Sequence, residues 1–459
     1  MRLSLRDFQQ LSSVEIFNGE LLKGKTISGV STDSRSVKER NIFFAIRGER
    51  FDGHKFVFDA TMKNVAAVVV ESAWSRNNKK ALEFAGTTII AVPDTTKALG
   101  ELARVYRRKF SIPVLAIGGS NGKTTTKEMI GVVLRQRYNV LSTEGNLNNN
   151  IGVPQTLFKL TPKHEIVVLE LGTNHPGEMG YLCSIAEPTQ ALVTNVGREH
   201  LEFFNDERGV VAEETDLFRS LGTKGFAFVN IDDANLSKAG KKIKHALRYG
   251  KTKRADIRAR RISTDALGRP AFDVIRKEGK KSETIQLSIA GEHNVMNALA
   301  ASAVGVKFKI PSKKIRVALE QFRAVNKRME TLSRNGIIIL NDTYNANPDS
   351  VIAALRTLQS MKISGNKIVV LADMLELGQH AELEHAKIGL AVSDMDFEYL
   401  LTFGPLSRYT HEASKLPFAE HFDSKEILLS SLRHQLKPGD AVLIKGSRGM
   451  KMEEIVERL

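Results

Sequence analysis

Short apolar runs recur along the chain, each closed by Gly, Asn or Asp and followed by a stretch with helical spacing. That alternation is the pattern of parallel α/β units, in which strands buried on both faces read as continuous apolar segments. One set comprises VLAIGGSNGKTTTKEMIGVVL, EIVVLELGTN, QALVTNVG and GFAFVNIDD, between residues 113 and 232. A second comprises GIIILNDTYNANPDSVIAAL, KIVVLADMLELG, YLLTFGP and DAVLIKGS, between residues 336 and 447. GEHNVMNALAASAVGV and IPSKKIRVALEQF lie between the sets and predict two helices. The segment before them is less regular, with ISGVSTDSR, NIFFAIRG and VAAVVVES as strand candidates. An α/β protein of three domains follows, over residues 1–93, 94–325 and 326–459. The first is expected to be a smaller α/β domain and the second to be built on a parallel sheet.

The chain has 459 residues, enough for about three ordinary domains. A composition of 42% hydrophobic and 26% charged residues excludes a disordered or fibrous chain. The longest purely apolar run is of the size of Val65–Val70, far below the ~20 residues of a membrane helix. The N-terminus mixes charges into its first turn and has no apolar signal core, so the cytosol is expected. Cys183 is the single cysteine, which suits a reducing compartment and a buried small side chain. A net charge of +15 points to acidic partners, nucleotides among them. Ten Lys and Arg between Lys241 and Arg261 form the densest basic run. Only Tyr249 interrupts it as an aromatic, so it lacks the stacking platform of a single-strand binder and no nucleic-acid partner is expected.

Gly119, Ser120, Asn121, Gly122, Lys123, Thr124 and Thr125 follow the strand VLAI and open the helix KEMIGVVL. This is the context of a phosphate-binding loop, in which backbone N–H groups and a helix N-terminus converge on phosphate oxygens. Lys123 would reach the β- and γ-phosphates and the hydroxyl of Thr124 would ligate Mg2+, so ATP and Mg2+ are the expected cofactors. The spacing is GxxGKT, shorter than the common GxxxxGKT. Glu170 ends the strand IVVLE and is a candidate Mg2+ ligand, since hard cations take oxygen donors. His200 follows the strand ALVTNV, at the carboxyl edge where ligands of open parallel sheets collect.

GSNGKTTTKEM, GNLNNNIGVP, LELGTNHPGEM, TNVGREHLEFF, GEHNVMNALAA, NDTYNANPDS and KGSRGMKME occur in that order, and in them the chain resembles the Mur ligases of bacterial cell-wall synthesis over essentially its whole length. The resemblance implies a central P-loop mononucleotide-binding domain, a C-terminal Rossmann-like domain that closes over ATP, and an N-terminal UDP-substrate domain. It implies an ADP-forming ligase that joins D-Ala-D-Ala to UDP-N-acetylmuramoyl-tripeptide through an acyl phosphate, acting as a monomer. A sister ligase for another amino acid and a folate polyglutamylation enzyme are the nearest alternatives, and the NANPDS and NHPGEM segments argue against both. A polynucleotide-dependent ATPase and a non-catalytic nucleotide-binding scaffold are the readings outside the ligases.

Carried over residue by residue, the resemblance implies that Gly119 to Thr125 hold the phosphates and that Thr124 and Glu170 bind the first Mg2+. His200 would bind a second Mg2+ and, with Lys123 and Arg328, act in catalysis. Asn297 would contact adenine, Arg328 the γ-phosphate and Asp342 the ribose. Ser34 and Arg35 of STDSR would contact the uridine diphosphate beside the loop from Arg47 to His54, and Asn149 of GNLNNN is a substrate candidate. The family places an N-carboxylated lysine some fourteen residues after its HL motif, where this chain has Glu214. Glu214 keeps a negative charge and a hard oxygen for a metal, on a shorter arm.

Overall fold

A computed structural model of the protein describes residues 1, 3–48, 51–78, 86–277, 282–324 and 327–459. The expected boundary at 325/326, and Glu49 and Arg50 of the loop from Arg47 to His54, lie outside these described residues. The chain divides into two units, one of residues 1–116, 138–173 and 178–190, the other of 117–137, 174–177 and 191–459.

The first unit holds a five-stranded sheet of β1 (Glu15–Phe17), β2 (Gly29–Ser31), β3 (Asn41–Phe44), β4 (Ala67–Glu71) and β5 (Thr88–Val92), in the order β1-β5-β4-β3-β2. β2 to β5 pair in parallel and β1 closes one edge antiparallel. Phe43, Val68, Val70 and Ile89 pack with Val57 and Ala60 in its core. The helix Thr95–Arg107 starts at Asp94, whose carboxylate accepts the N–H groups of Thr96 and Lys97, satisfying donors that a first turn leaves open. It buries Leu99, Leu102, Ala103 and Tyr106, the stripe expected of an amphipathic helix.

The central sheet has nine strands. Its strands are β6 (Val114–Gly118), β7 (Val140–Ser142), β8 (Ile166–Glu170), β9 (Gln190–Val193), β10 (Phe226–Asn230), β11 (Ala246–Gly250), β12 (Ile257–Thr264), β13 (Pro270–Arg276) and β14 (Glu283–Gln286), in the order β14-β13-β12-β11-β10-β9-β6-β8-β7. β7–β8, β10–β11 and β11–β12 pair in parallel, but β12–β13 and β13–β14 are antiparallel. The parallel pairing expected of this sheet is present at β7–β8, β10–β11 and β11–β12, and β13 and β14 extend it as an antiparallel edge. The reason is local: Asp265 accepts the N–H groups of Leu267 and Arg269, and Gly268 adopts φ +69°, so the chain reverses in a tight turn with no crossover helix.

The second unit also holds the C-terminal sheet of β15 (Glu330–Arg334), β16 (Ile337–Asp342), β17 (Lys367–Ala372), β18 (Tyr399–Phe403), β19 (Ala419–Phe422) and β20 (Ala441–Lys445), in the order β15-β16-β20-β17-β18-β19. All its pairs are parallel except β15–β16. Alternate residues bury against helices on opposite faces. Leu340, Val369, Leu371 and Leu443 meet Val351, Leu355 and Ile388, whereas Ile339, Ile368, Val370 and Val442 meet Leu428, Leu432 and Ile455. This two-faced burial explains why these strands read as unbroken apolar runs. Cys183 is buried in the helix Glu178–Ala186, and no described helix is long and apolar enough to cross a membrane.

Candidate functional site

β6 is buried along its length and delivers the chain into the turn at Gly119. Gly119 and Gly122 adopt φ +114° and +80°, conformations that L side chains rarely take. A Cβ on Gly119 would stand 2.7 Å from Thr194 N, and one on Gly122 would stand 2.7 Å from Asn297 Oδ1. Both glycines are thus required by conformation and by space. The segment after β9 clamps the turn: Ser120 N donates to Asn195 O at 2.9 Å, Asn121 N to Asn195 Oδ1 at 3.1 Å, and Thr194 Oγ1 to Asn121 O at 2.7 Å. The helix Lys123–Leu134 starts directly from Gly122 with no side-chain cap, so its first N–H groups face the turn, the arrangement that binds phosphate.

Lys123 Nζ donates to the carbonyls of Gly119 and Ser120 and lies 3.5 Å from Glu199 Oε2. Glu214, on the helix Glu207–Arg219, is buried and accepts the Gly119 N–H at 2.5 Å. Burial pushes its carboxyl up to about 8, with Lys123 opposing the shift and Glu199 adding to it. His200 follows Glu199 and has φ +49°, and its Nδ1 lies 2.6 Å from Glu376 Oε2. Among the described residues no group of three His, Cys, Asp or Glu could by itself hold a metal. Mg2+ needs no such cage, since it takes one or two carboxylates beside phosphate oxygens and water. Thr124 and Glu214 supply oxygens of that kind beside the turn, Glu214 once it has lost its proton, so the residues of this turn fit the ion.

The C-terminal part of the second unit holds Asn347, Asp349, Glu376 and Glu384, which meet Asn121, Arg198 and His200 of the same unit. Asn347 Nδ2 donates to Asn121 Oδ1 at 3.0 Å. Asn297 is buried, accepting from Thr126 Oγ1 at 3.0 Å and donating to Asn294 Oδ1 at 2.9 Å. Arg328 stacks on Tyr344, its Cζ 3.7 Å from the ring centre. Asp342 has both oxygens engaged, Oδ2 by Lys445 Nζ at 2.6 Å and Oδ1 by Met329 N at 3.0 Å.

In the first unit Glu170 is buried at the end of β8 and accepts from Asn148 Nδ2 at 3.0 Å. Asn149 Oδ1 accepts the N–H groups of Ile151 and Gly152, so its oxygen shapes the turn into the helix Gly152–Leu157. Arg35 is exposed and forms a fork with Asp33 at 2.8 and 3.0 Å, which pulls the Asp33 carboxyl down to about 2. Ser34 presents its carbonyl to Lys63 Nζ at 2.7 Å. Arg47 lies 3.2 Å from Glu71, and His54 lies 2.7 Å from Asp52.

Sequence reasoning missed Glu199, Glu376, Asp349 and Lys445. Lys445 had one local signal: a cation ending the otherwise apolar strand AVLIK must find an anion once buried. The other three are identified only by partners distant in sequence.

Three family models match the chain: "Mur ligase family, catalytic domain" over residues 26–107, "Mur ligase middle domain" over 117–305 and "Mur ligase, glutamate ligase domain" over 327–448. A UDP-N-acetylmuramoyl-tripeptide–D-alanyl-D-alanine ligase of Bacillus subtilis is 35% identical, covering 94% of this chain and 93% of that protein. The protein of the same name from Escherichia coli is 34% identical over 97% and 96%. Among solved structures, MurF from Acinetobacter baumannii superposes with a TM-score of 0.90 at 29% identity over 99% and 98% of the two chains. MurF from Thermotoga maritima in complex with ADP gives 0.82 at 26% over 94% and 96%. With a glycine turn opening a helix at the head of the middle segment and relatives this similar along its whole length, the chain belongs to the Mur ligase family.

Proposed function

We propose that the protein is an ATP-dependent, ADP-forming ligase that joins D-alanyl-D-alanine to UDP-N-acetylmuramoyl-tripeptide in the cytosol. The observation that carries this is the end-to-end similarity to proteins named for that reaction, at 34–35% identity. The tripeptide carboxylate attacks the γ-phosphorus of ATP, giving an acyl phosphate and ADP. The amine of D-Ala-D-Ala then adds to the acyl carbon, and the tetrahedral intermediate expels phosphate as the amide forms. Positioning and charge neutralisation dominate such phosphoryl transfer. Accordingly, the residues assigned to it are glycines, cations and hard oxygens.

In this proposal the N–H groups from Gly119 to Thr125 hold the phosphates, and Lys123 exchanges its loop carbonyls for β- and γ-phosphate oxygens. Thr124 and Glu170 hold one Mg2+, and His200 with Glu214 the other. Bound Mg2+ supplies charge neutralisation on the phosphates. Glu199 holds Lys123 beside the turn at 3.5 Å. Asn297, against Gly122, faces adenine, while Arg328 and Asp342 serve the γ-phosphate and the ribose. Ser34, Arg35 and Asn149 contact the UDP-sugar peptide. Residues 1–93, 94–325 and 326–459 are the substrate, ATP-binding and closing domains.

The test is phosphate release from ATP with UDP-N-acetylmuramoyl-tripeptide, with and without D-Ala-D-Ala, for the protein and for Lys123→Ala. Pentapeptide and phosphate formed only with both substrates, and reduced about 10²- to 10³-fold or more in the variant, is the expected result. Hydrolysis that responds to polynucleotide instead would transfer the assignment to the basic run of β11 and β12.

A further inference from the structure

Arg198 lies in the segment that clamps the phosphate turn, yet its side chain is wholly committed to residues far along the chain. Its backbone N–H donates to Asp349 Oδ2 at 2.8 Å, and its Nη2 and Nε donate to Asp349 Oδ1 at 2.6 and 3.2 Å. Its Nη1 donates to Glu384 Oε2 at 2.8 Å. Asp349 stands in the first turn of the helix Pro348–Ser360, and Glu384 in the helix Ala381–Ser393. One guanidinium therefore ties two helices of the C-terminal sheet to the loop after β9.

That loop is also bonded to the phosphate turn. Gly197 N donates to Ser120 Oγ at 2.8 Å. A Cβ on Gly197 would come within 2.5 Å of Asp349 Oδ2, so the backbone at 197 is bare where the C-terminal carboxylate approaches. Ser120, Gly197, Arg198 and Asp349 thus form a continuous bonded path from the turn to the C-terminal helices. An acid in the first turn of a helix has a bland explanation in the helix dipole, and an exposed ion pair is worth little. Neither accounts for a fork completed by a main-chain N–H, with a second carboxylate, Glu384, that is only 4% exposed.

We propose that Arg198 is a positioning residue for the ligase reaction, a latch that holds the C-terminal helices of Asp349 and Glu384 against the loop that clamps the phosphate turn. It acts on the reacting groups through Ser120 and through Arg328, which reaches the γ-phosphate only when the C-terminal part is docked. The inference rests on the proposed ligase activity for its kinetic arm alone.

The test uses the full chain with Arg198→Ala, Arg198→Lys, Asp349→Ala and the double variant Arg198→Ala/Asp349→Ala. Fluorophores on Lys253→Cys and Glu412→Cys report docking, with and without a non-hydrolysable ATP analogue and Mg2+. Arg198→Ala is expected to lower the docked fraction and to reduce kcat about tenfold, with KM for the UDP-tripeptide unchanged. Arg198→Lys should recover part of both losses. The double variant should be no worse than Arg198→Ala, because Arg198→Ala alone already releases both Asp349 and Glu384. An unchanged docked fraction in Arg198→Ala would overturn the latch, as would losses that multiply in the double variant. If the protein makes no pentapeptide the ligase assignment fails, and the fluorophore distances still decide the latch.

Discussion

Lys445 and Asp342 end neighbouring parallel strands at the same level, and their side chains meet at 2.6 Å in a site where Lys445 is 2% exposed. The ammonium also reaches Asn345 O at 2.7 Å, so its donors are taken up locally. Removing one member leaves the other charge buried without its counter-ion, which costs about 3–5 kcal/mol. Lys445→Met is therefore expected to lower the urea midpoint strongly. Lys445→Met combined with Asp342→Leu should recover much of that loss, while ATP binding should fail if Asp342 also serves the ribose. Equilibrium unfolding and nucleotide titration of the same two variants check both parts.

Glycines of this chain are not equally replaceable. Gly119→Ala and Gly122→Ala each impose a side chain on a left-handed backbone facing Thr194 or Asn297, with a strain of about 1–3 kcal/mol. Both should lose ATP binding. A Cβ on Gly222 would meet no atom within 4 Å, and the backbone there has no positive φ, so Gly222→Ala should stay within about 0.5 kcal/mol. Calorimetric binding and thermal unfolding of the three separate loop geometry from general glycine loss.

His385 is buried, accepting the Met374 N–H at 3.0 Å on Nε2 and lying 2.7 Å from Ala381 O on Nδ1. Burial holds its pKa below the ordinary 6.5, although the Ala381 carbonyl, Asp373 and Glu384 pull the other way. The unfolded chain therefore binds the extra proton first as pH falls. The stability His385 contributes is complete above pH 6.5 and is lost below it. The urea midpoint should drop on acidification through that window, and His385→Gln should flatten the drop. An equally steep dependence in the variant would refute the assignment.

Glu214 presents a carboxylate where the family resemblance places a carboxylated lysine, and it is anchored by the Gly119 N–H at 2.5 Å. Activity should accordingly be the same in buffer stripped of carbon dioxide and in buffer with added bicarbonate. A loss on stripping that bicarbonate restores would show that some lysine is still being carboxylated.

Local chemistry explains which parts of the molecule were legible in the amino-acid sequence. β6, the glycines after it and the helix from Lys123 depend on neighbours a few residues away, so apolar run, turn and cation appear in order. β13 and β14 were missed because charged residues interrupt them, Asp273 and Arg276 in one and Glu283 in the other, so neither reads as an apolar run. Glu199 and Asp349 were missed for another reason. Their meaning lies in Lys123 and Arg198, and a carboxylate read along the chain carries no sign of a partner that folding brings to it.

Asn347 shows how tightly one side chain can be constrained by serving two structures. Its Oδ1 accepts Ser350 N at 2.8 Å as the cap of the helix Pro348–Ser360, while its Nδ2 donates to Asn121 Oδ1 at 3.0 Å. Aspartate and serine cap helices equally well, so helix formation alone would let this position drift among the three. Aspartate would turn a second carbonyl-like oxygen toward Asn121, and serine is too short to span both partners. The bond to Asn121 thereby sets a demand at 347 that the helix by itself does not make: one side chain offers an acceptor at one corner and a donor at the other.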